Sequence, residues 1–318
     1  MKKKQKKTTK KEKTNTRMEP KSQVSKDQEA CVPRNQDVQF LNVAHKELDQ
    51  KAVVLSLMEM QRQRASIMKM QNSQANQIIA YIARAVGYNA NMDEAGRKKT
   101  WVKAEKIHTA IIKDKEPPDV VIAEAVRPLC EIFMESTAKL SAKRKDIEKM
   151  QEIEVKKLPA CETWCAVKGR AAGGLACIIG EAGDLSDYEN PAKLWKRFGL
   201  AVLEGVRQGG LKKGSSKEAW IAHGYCKRRR SVMWTIGHSL IMCGGKDGKY
   251  YKIFADRKAR DFEILKERWI AAGKDPEKYG PGHADASGQR YMEKELLKEL
   301  WNEWTGQAKR DPQLKPAS

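Results

Sequence analysis

Apolar residues in the first half of the chain recur at helical spacing, with Gln, Lys, Arg and Glu between them. Val38 to about Val86 therefore predicts a long helix. Leu41, Leu48 and Leu55 stand seven apart, with Ala44, Ala52 and Met58 between them. The stripe continues through Met60, Ile67 and Tyr81 in a shifted register. This pattern is a helical hairpin or a coiled-coil seam with a break, and it suggests a homodimer through these N-terminal helices. Met58, Met60, Met68 and Met70 read as core filler. Gly87 to Gly96 is a polar turn, and a shorter helix follows from about Lys98 to Lys113. Glu116-Pro117-Pro118-Asp119 ends that helix and opens the next, because Pro suits a first helical turn. The next helix runs from Asp119 to Lys157, with a kink expected at Pro128. Its charged later part, from Lys139, should face solvent or pair with another helix.

At Leu158 the pattern changes to compact apolar blocks rich in Gly, Trp and Cys. A short helix ends near Ala166, a tight turn follows at Gly169, and a second helix runs from Ala172 to Ala182, stopped by Gly183. Leu175, Ile178 and Ile179 share one face of it. A bend of small residues before a helix N-terminus brings free backbone N–H groups close to a phosphate. On that argument Lys168, Gly169, Arg170, Ala171, Ala172 and Gly173 are candidate DNA contacts; the alternative is a plain small-residue helix contact. Lys227-Arg228-Arg229-Arg230 opens a later helix, and these four are candidate phosphate contacts too. Lys252 to Ala272 reads as a basic amphipathic helix. Gly280 to Gly288 reads as a loop holding His283. Gln289 to Trp304 is a last helix whose Tyr291, Leu296, Leu297, Leu300, Trp301 and Trp304 read as core anchors.

Charge adds direction to this helical picture. The 318 residues carry 62 Lys and Arg against 41 Asp and Glu, a formal net charge of +21. Such a balance selects an anionic partner. Nucleic acid comes first and an anionic membrane surface second. No apolar run approaches the roughly 20 residues of a spanning helix. The basic start, MKKKQKKTTKKEKTNTR, lacks the apolar core of a secretory signal, so a cytoplasmic location is expected. Seven cysteines, an odd number, argue against a complete disulfide framework. Cys161 and Cys165 have no second pair at zinc-site spacing, so neither a metal site nor a cofactor is expected.

The segment from Val167 to Leu185 resembles the C-terminal transposase domain of the bacterial insertion-sequence family 110, grouped with 116 and 902. The resemblance rests on Val167, Gly169, Leu175, Ala176, Ile178, Ile179, Glu181, Gly183, Asp184 and Leu185. Ala171 stands where the family has a second turn glycine. Asn190-Pro191 through Leu200 is similar to the family's helix leading into a strand, with Asn190 as cap and Pro191 at the first helical position. The family's Gln-Ser-Gly segment, whose serine is the proposed nucleophile, matches Gln208-Gly209-Gly210, so the hydroxyl is missing. Ser215 and Ser216 lie nearby; they could replace it only if the loop folds back, and otherwise solvate the loop or cap the next helix beside Glu218. The family's acidic metal-binding nuclease domain finds no counterpart in the N-terminal half.

The resulting expectation is a mainly α chain. Long N-terminal helices, as coiled coil or hairpin, precede a helix-hairpin-helix domain of transposase type. The expected divisions are a disordered basic tail at 1–36, a helical region at 37–157, the transposase-like domain at 158–242, a helical extension at 243–305 and a tail at 306–318. The resemblance implies a protein of DNA transposition or recombination that binds double-stranded DNA, with structured RNA a second possible partner. A strand-cleaving site of its own is not expected, since neither the serine nor the acidic metal site is found. An active recombinase with a divergent nucleophile, and a helical scaffold for RNA or an acidic protein, are the competing readings.

Overall fold

Aspartates start two of the long helices. Asp93 accepts a hydrogen bond from the Gly96 amide and opens α2 (Glu94–Ile112). Asp119 accepts from the Ile122 amide and opens α3 (Val120–Val155). Before them runs α1 (Asn35–Ala85). The computed structural model describes residues 35–211 and 214–306, with side chains from Asp49 onward. The expected tails, Cys31 and the seam positions Leu41, Ala44 and Leu48 lie outside the residues so described, apart from the ends of the two tail ranges. From His45 onward the described residues form one compact unit.

Beyond α3 come α4 (Ala160–Cys165), α5 (Ala172–Ala182), α6 (Pro191–Arg197), α7 (Lys217–His223), α8 (Lys227–Cys243), α9 (Lys249–Ala271) and α10 (Gly282–Trp304). A two-residue hairpin, β1 (Val202–Leu203) and β2 (Val206–Arg207), follows α6. Glu204 and Gly205 both take positive φ between the two strands, which matches the twist of a tight antiparallel hairpin. The fold is thus mainly α. No described helix is long and apolar enough to cross a membrane.

α1 and α3 run antiparallel, since contacts ascend along one as they descend along the other. Gln61 meets Gln151, Arg64 meets Glu148, Gln71 meets Ser141 and Gln74 meets Ser136. Ile78 and Ile82 close the far end with Ala104, Ile107, Ala123 and Val126. Val53, Val54, Leu57 and Val155 join the main core at the near end. The hairpin is apolar at both ends and hydrogen-bonded in its middle. The expected stripe is divided by this packing: Ile67 is buried. Leu55 is 66% exposed and Tyr81 46%, while Val53, Leu57 and Gln61 face inward. Apolar residues occupy two faces of α1, and only the helices that pack on it decide which face is buried. Pro128 lies inside α3 without ending it. Its ring disturbs the carbonyl of Glu124, an exposed residue that water can satisfy.

The core also crosses the position where the sequence changes character. Leu57 and Val155 share one cluster with Leu175, Ile179, Leu240, Phe254 and Leu297, so α8, α9 and α10 are part of the same core as α5. The Gly280–Gly288 stretch, expected as a loop, is helical from Gly282. Its small residues fit against α9: a β-carbon at Gly288 would lie 2.8 Å from the Phe254 carbonyl oxygen.

Gly180 shows how tightly α5 seats on α1. A β-carbon there would lie 2.6 Å from Gln61 Cβ and 3.0 Å from the Leu57 carbonyl oxygen. Gly180→Ala is expected to destabilise the chain by about 1–3 kcal/mol, the usual range for overpacking. Urea unfolding reads this as a lower midpoint at unchanged slope. An unchanged midpoint would show that the two helices can part at no cost.

Candidate nucleic-acid interface

The bend before α5 is built by Gly169, whose φ is +91°, a conformation that favours glycine. It packs onto the end of α8. A β-carbon at Gly169 would lie 3.2 Å from the Gly244 amide nitrogen and 3.4 Å from Leu240 Cα. The bend therefore uses its close-approach geometry on the protein's own backbone. Arg170 turns inward from it. Its guanidinium sits 4.8 Å from the Trp164 ring centroid and 4.6 Å from that of Tyr250. Its Nη2 lies 3.4 Å from Glu299 Oε2, and only 7% of the side chain is exposed. Burial lowers its pKa, and the charges of Glu299 and Glu303 oppose that. The expected phosphate role of Arg170 is thereby corrected to an internal one. Lys168 remains exposed, and its side chain makes no hydrogen bond or ion pair among the described residues.

Ala171 caps α5 in extended conformation, without a side-chain hydrogen bond. Its carbonyl accepts from Trp164 Nε1 at 3.0 Å. Ala172 and Gly173 begin the helix. A β-carbon on Gly173 would lie 3.2 Å from Glu152 Oε1, so a carboxylate of α3 already stands beside the positive end of the helix dipole.

The four cations at the start of α8 divide between two buried carboxylates and solvent. Arg228 meets Glu181 twice, Nε to Oε1 at 2.8 Å and Nη2 to Oε2 at 2.9 Å. Arg229 Nε stands 3.5 Å from Oε2 of the same residue. Gln61 Nε2 donates to Glu181 Oε1 at 2.9 Å, and Gln151 Nε2 donates to Gln61 Oε1 at 3.2 Å. Arg230 Nη1 lies 2.9 Å from Glu293 Oε2, while Gln289 donates to Glu293 Oε1. The structure divides the four expected phosphate contacts. Arg229 and Arg230 are held inside, Arg228 is paired yet half exposed, and Lys227 alone of the four points outward without a partner among the described residues. Sequence reading missed this because the carboxylates lie on other helices.

The two candidate groups nevertheless meet. Gly173 of α5 and Lys227 and Arg228 of α8 line one cleft of about 670 Å³, closed on its other sides by α1 and α3. Arg64 and Lys69 of α1 add cations, and Glu148 and Glu152 of α3 add carboxylates. Arg64 is paired with Glu148 at 2.8 Å. Arg64 and Lys69 were missed because α1 reads as a packing helix. Their signal was available: polar residues, not apolar ones, fill its middle.

Elsewhere, Gln208 is buried, its Nε2 donating to the His223 carbonyl at 2.9 Å. Ser216 caps α7 by accepting from the Ala219 amide at 3.1 Å, the capping alternative raised for it. The sulfurs of Cys161 and Cys165 lie 3.9 Å apart, and burial, together with Cys165, pushes the Cys161 thiol up to about 11. No family model, curated protein or solved structure matches this chain.

Glu293 gives a pH prediction. Burial raises its carboxyl above the ordinary carboxylate value, against the opposing pull of Arg230 and Gln289. The folded protein thus holds this proton more tightly than the unfolded chain. Its contribution to stability is full below the unfolded value, about 4.3, and is lost as pH rises through the folded one. Glu293→Gln is expected to remove that decline from the urea stability profile. Equal slopes against pH in both proteins would refute it.

Proposed function

We propose that this chain binds nucleic acid, double-stranded DNA first, through backbone phosphates, and that it is a non-cleaving relative of the insertion-sequence transposases it resembles. The observation that carries the reading is the formal net charge of +21 over the full sequence, together with exposed lysines that stay outside the internal pairs of Arg170, Arg228 and Arg230. Lys168, Lys227 and Lys69 are exposed, and Lys227 and Lys69 line the cleft that Gly173 also borders. Lysines of this kind act as point charges on phosphate and read no sequence. The helix–turn–helix stretch from α4 to α5 belongs to this reading as a packed version of the helix-hairpin-helix, its bend buttressed by α8. The glycines at 209 and 210 supply no hydroxyl for strand transfer. A role in transposition or recombination, and a cytoplasmic location, belong to the same proposal. So does a homodimer through the long helices, which is supported by exposed Leu55 on α1 and Ile153 on α3.

Fluorescence anisotropy against duplex DNA over a salt series tests the reading. Log affinity should fall linearly with log salt. Lys69→Gln with Lys168→Gln and Lys227→Gln should reduce that slope by about 3, roughly one for each phosphate no longer neutralised. Salt-insensitive binding, or a slope untouched by the triple change, would remove the phosphate mechanism. Tighter binding to structured RNA than to duplex DNA would move the assignment to RNA.

A further inference from the structure

Beside the β-hairpin, Arg207 of β2 and Arg257 of α9 meet through Ser287 and Asp261, and Arg290 of α10 reaches the carbonyl of Gln208, the residue after Arg207. Arg230 of α8 and Lys294 of α10 lie within electrostatic reach of this group, making five cations from four elements. Hydroxyl and carbonyl oxygens hold several of them. Arg207 Nη2 donates to Ser287 Oγ at 2.8 Å, and Ser287 donates to Asp261 Oδ2 at 2.6 Å. Arg257 Nε lies 2.8 Å from that same oxygen. Arg290 Nη2 donates to the Gly199 carbonyl at 2.9 Å and stands 3.4 Å from that of Gln208. Three carboxylates face the group: Asp261, Glu293 and Glu295. The cations therefore outnumber them, and Arg260, 3.7 Å from Asp261, adds to the surplus.

The crowding is felt by its members. Burial first, then the charges of Arg290, Arg257 and Arg207, lower the Lys294 ammonium below its ordinary pKa. Like charges held together in the free protein repel one another, and an anion among them relieves that repulsion. Guanidinium forks also suit phosphate oxygens. The patch is open to solvent: Arg207 is exposed and Tyr291 is 39% exposed. Aromatic rings border it, with Lys294 Nζ 5.3 Å from the Trp195 centroid and Arg257 Cζ 5.0 Å from that of Tyr291.

We propose that this patch is a binding site for a phosphate group of the nucleic-acid backbone, contacted by Arg207 and Lys294 and held in shape by Arg257, Arg290 and the Ser287–Asp261 pair. The identity of the ligand rests on the nucleic-acid reading above, while the site itself rests on the geometry.

Inorganic pyrophosphate is the probe, added to the full chain at constant ionic strength. It should raise the thermal midpoint of the unaltered protein. It should not raise that of Arg207→Gln with Lys294→Gln, and it should still raise that of Lys168→Gln with Lys227→Gln. The first pair should also weaken duplex binding about ten-fold at low salt, where each neutralised phosphate weighs most. Protection of Lys294 from amine acylation by pyrophosphate, read by mass spectrometry on the unaltered chain, gives a second measurement that needs no variant to fold. Stabilisation that survives in the Arg207/Lys294 variant, or no protection of Lys294, overturns the site. Loss of the pyrophosphate response in that variant, with no oligonucleotide binding by the unaltered protein, keeps the site and overturns the nucleic-acid reading instead.

Discussion

A carboxylate on α5 with 1% of its side chain exposed, Glu181, has to be surrounded by donors, because an unpaired buried charge costs several kcal/mol. The chain meets that demand from two directions. Arg228 and Arg229 reach it from the start of α8, and Gln61 reaches it from α1, with Gln151 of α3 behind. Four helices are thereby fixed around one group. The cleft between them follows, since its walls are the faces of α1, α3, α5 and α8 that flank this contact. The direction of Lys227 follows as well. With Arg228 and Arg229 turned to Glu181 and Arg230 to Glu293, the neighbouring Lys227 is left on the solvent side of the turn.

Sequence reading recovered what local chemistry dictates. Asp119 starting α3, Asn190 capping α6 ahead of Pro191, and Gly183 closing α5 are decided within a few residues. Partners far along the chain were not legible. Arg170 meets Glu299 across 129 positions and Arg228 meets Glu181 across 47. A run of four cations looks the same on paper whether its counter-charges are phosphates or buried carboxylates. The face of α1 was illegible for a related reason: Leu55 and Leu57 are equally apolar, and only α3 and α5 choose between them.

Several residues that carry the transposase resemblance have structural work here. Glu181 is the hub just described. Asp184 accepts from the Ser186 amide and from Trp304 Nε1, and Leu185 is fully buried. Gly169 fits the bend against Gly244. A fold that needs these interactions keeps these residues whether or not the chain touches DNA. The motif thus speaks first to how α5 is held to α1, α8 and α10. The case for a ligand has to come from charge that the fold leaves over.

That surplus charge is unevenly divided between residue types. Arginines take many of the buried and half-buried positions: Arg170 between two rings, Arg229 and Arg230 on carboxylates, Arg290 on backbone carbonyls. Their planar, weakly hydrated forks tolerate desolvation better than an ammonium does. Lysines such as Lys69, Lys168 and Lys227 stay in water. A surface of hydrated point charges attracts a polyanion over a Debye length but fixes no register on it. Arg207 is among the arginines that do reach solvent, and its fork is already aimed by the neutral hydroxyl of Ser287. If the diffuse lysine field brings a phosphate backbone near, the pre-positioned guanidinium beside the β-hairpin is where it can be held at a defined point.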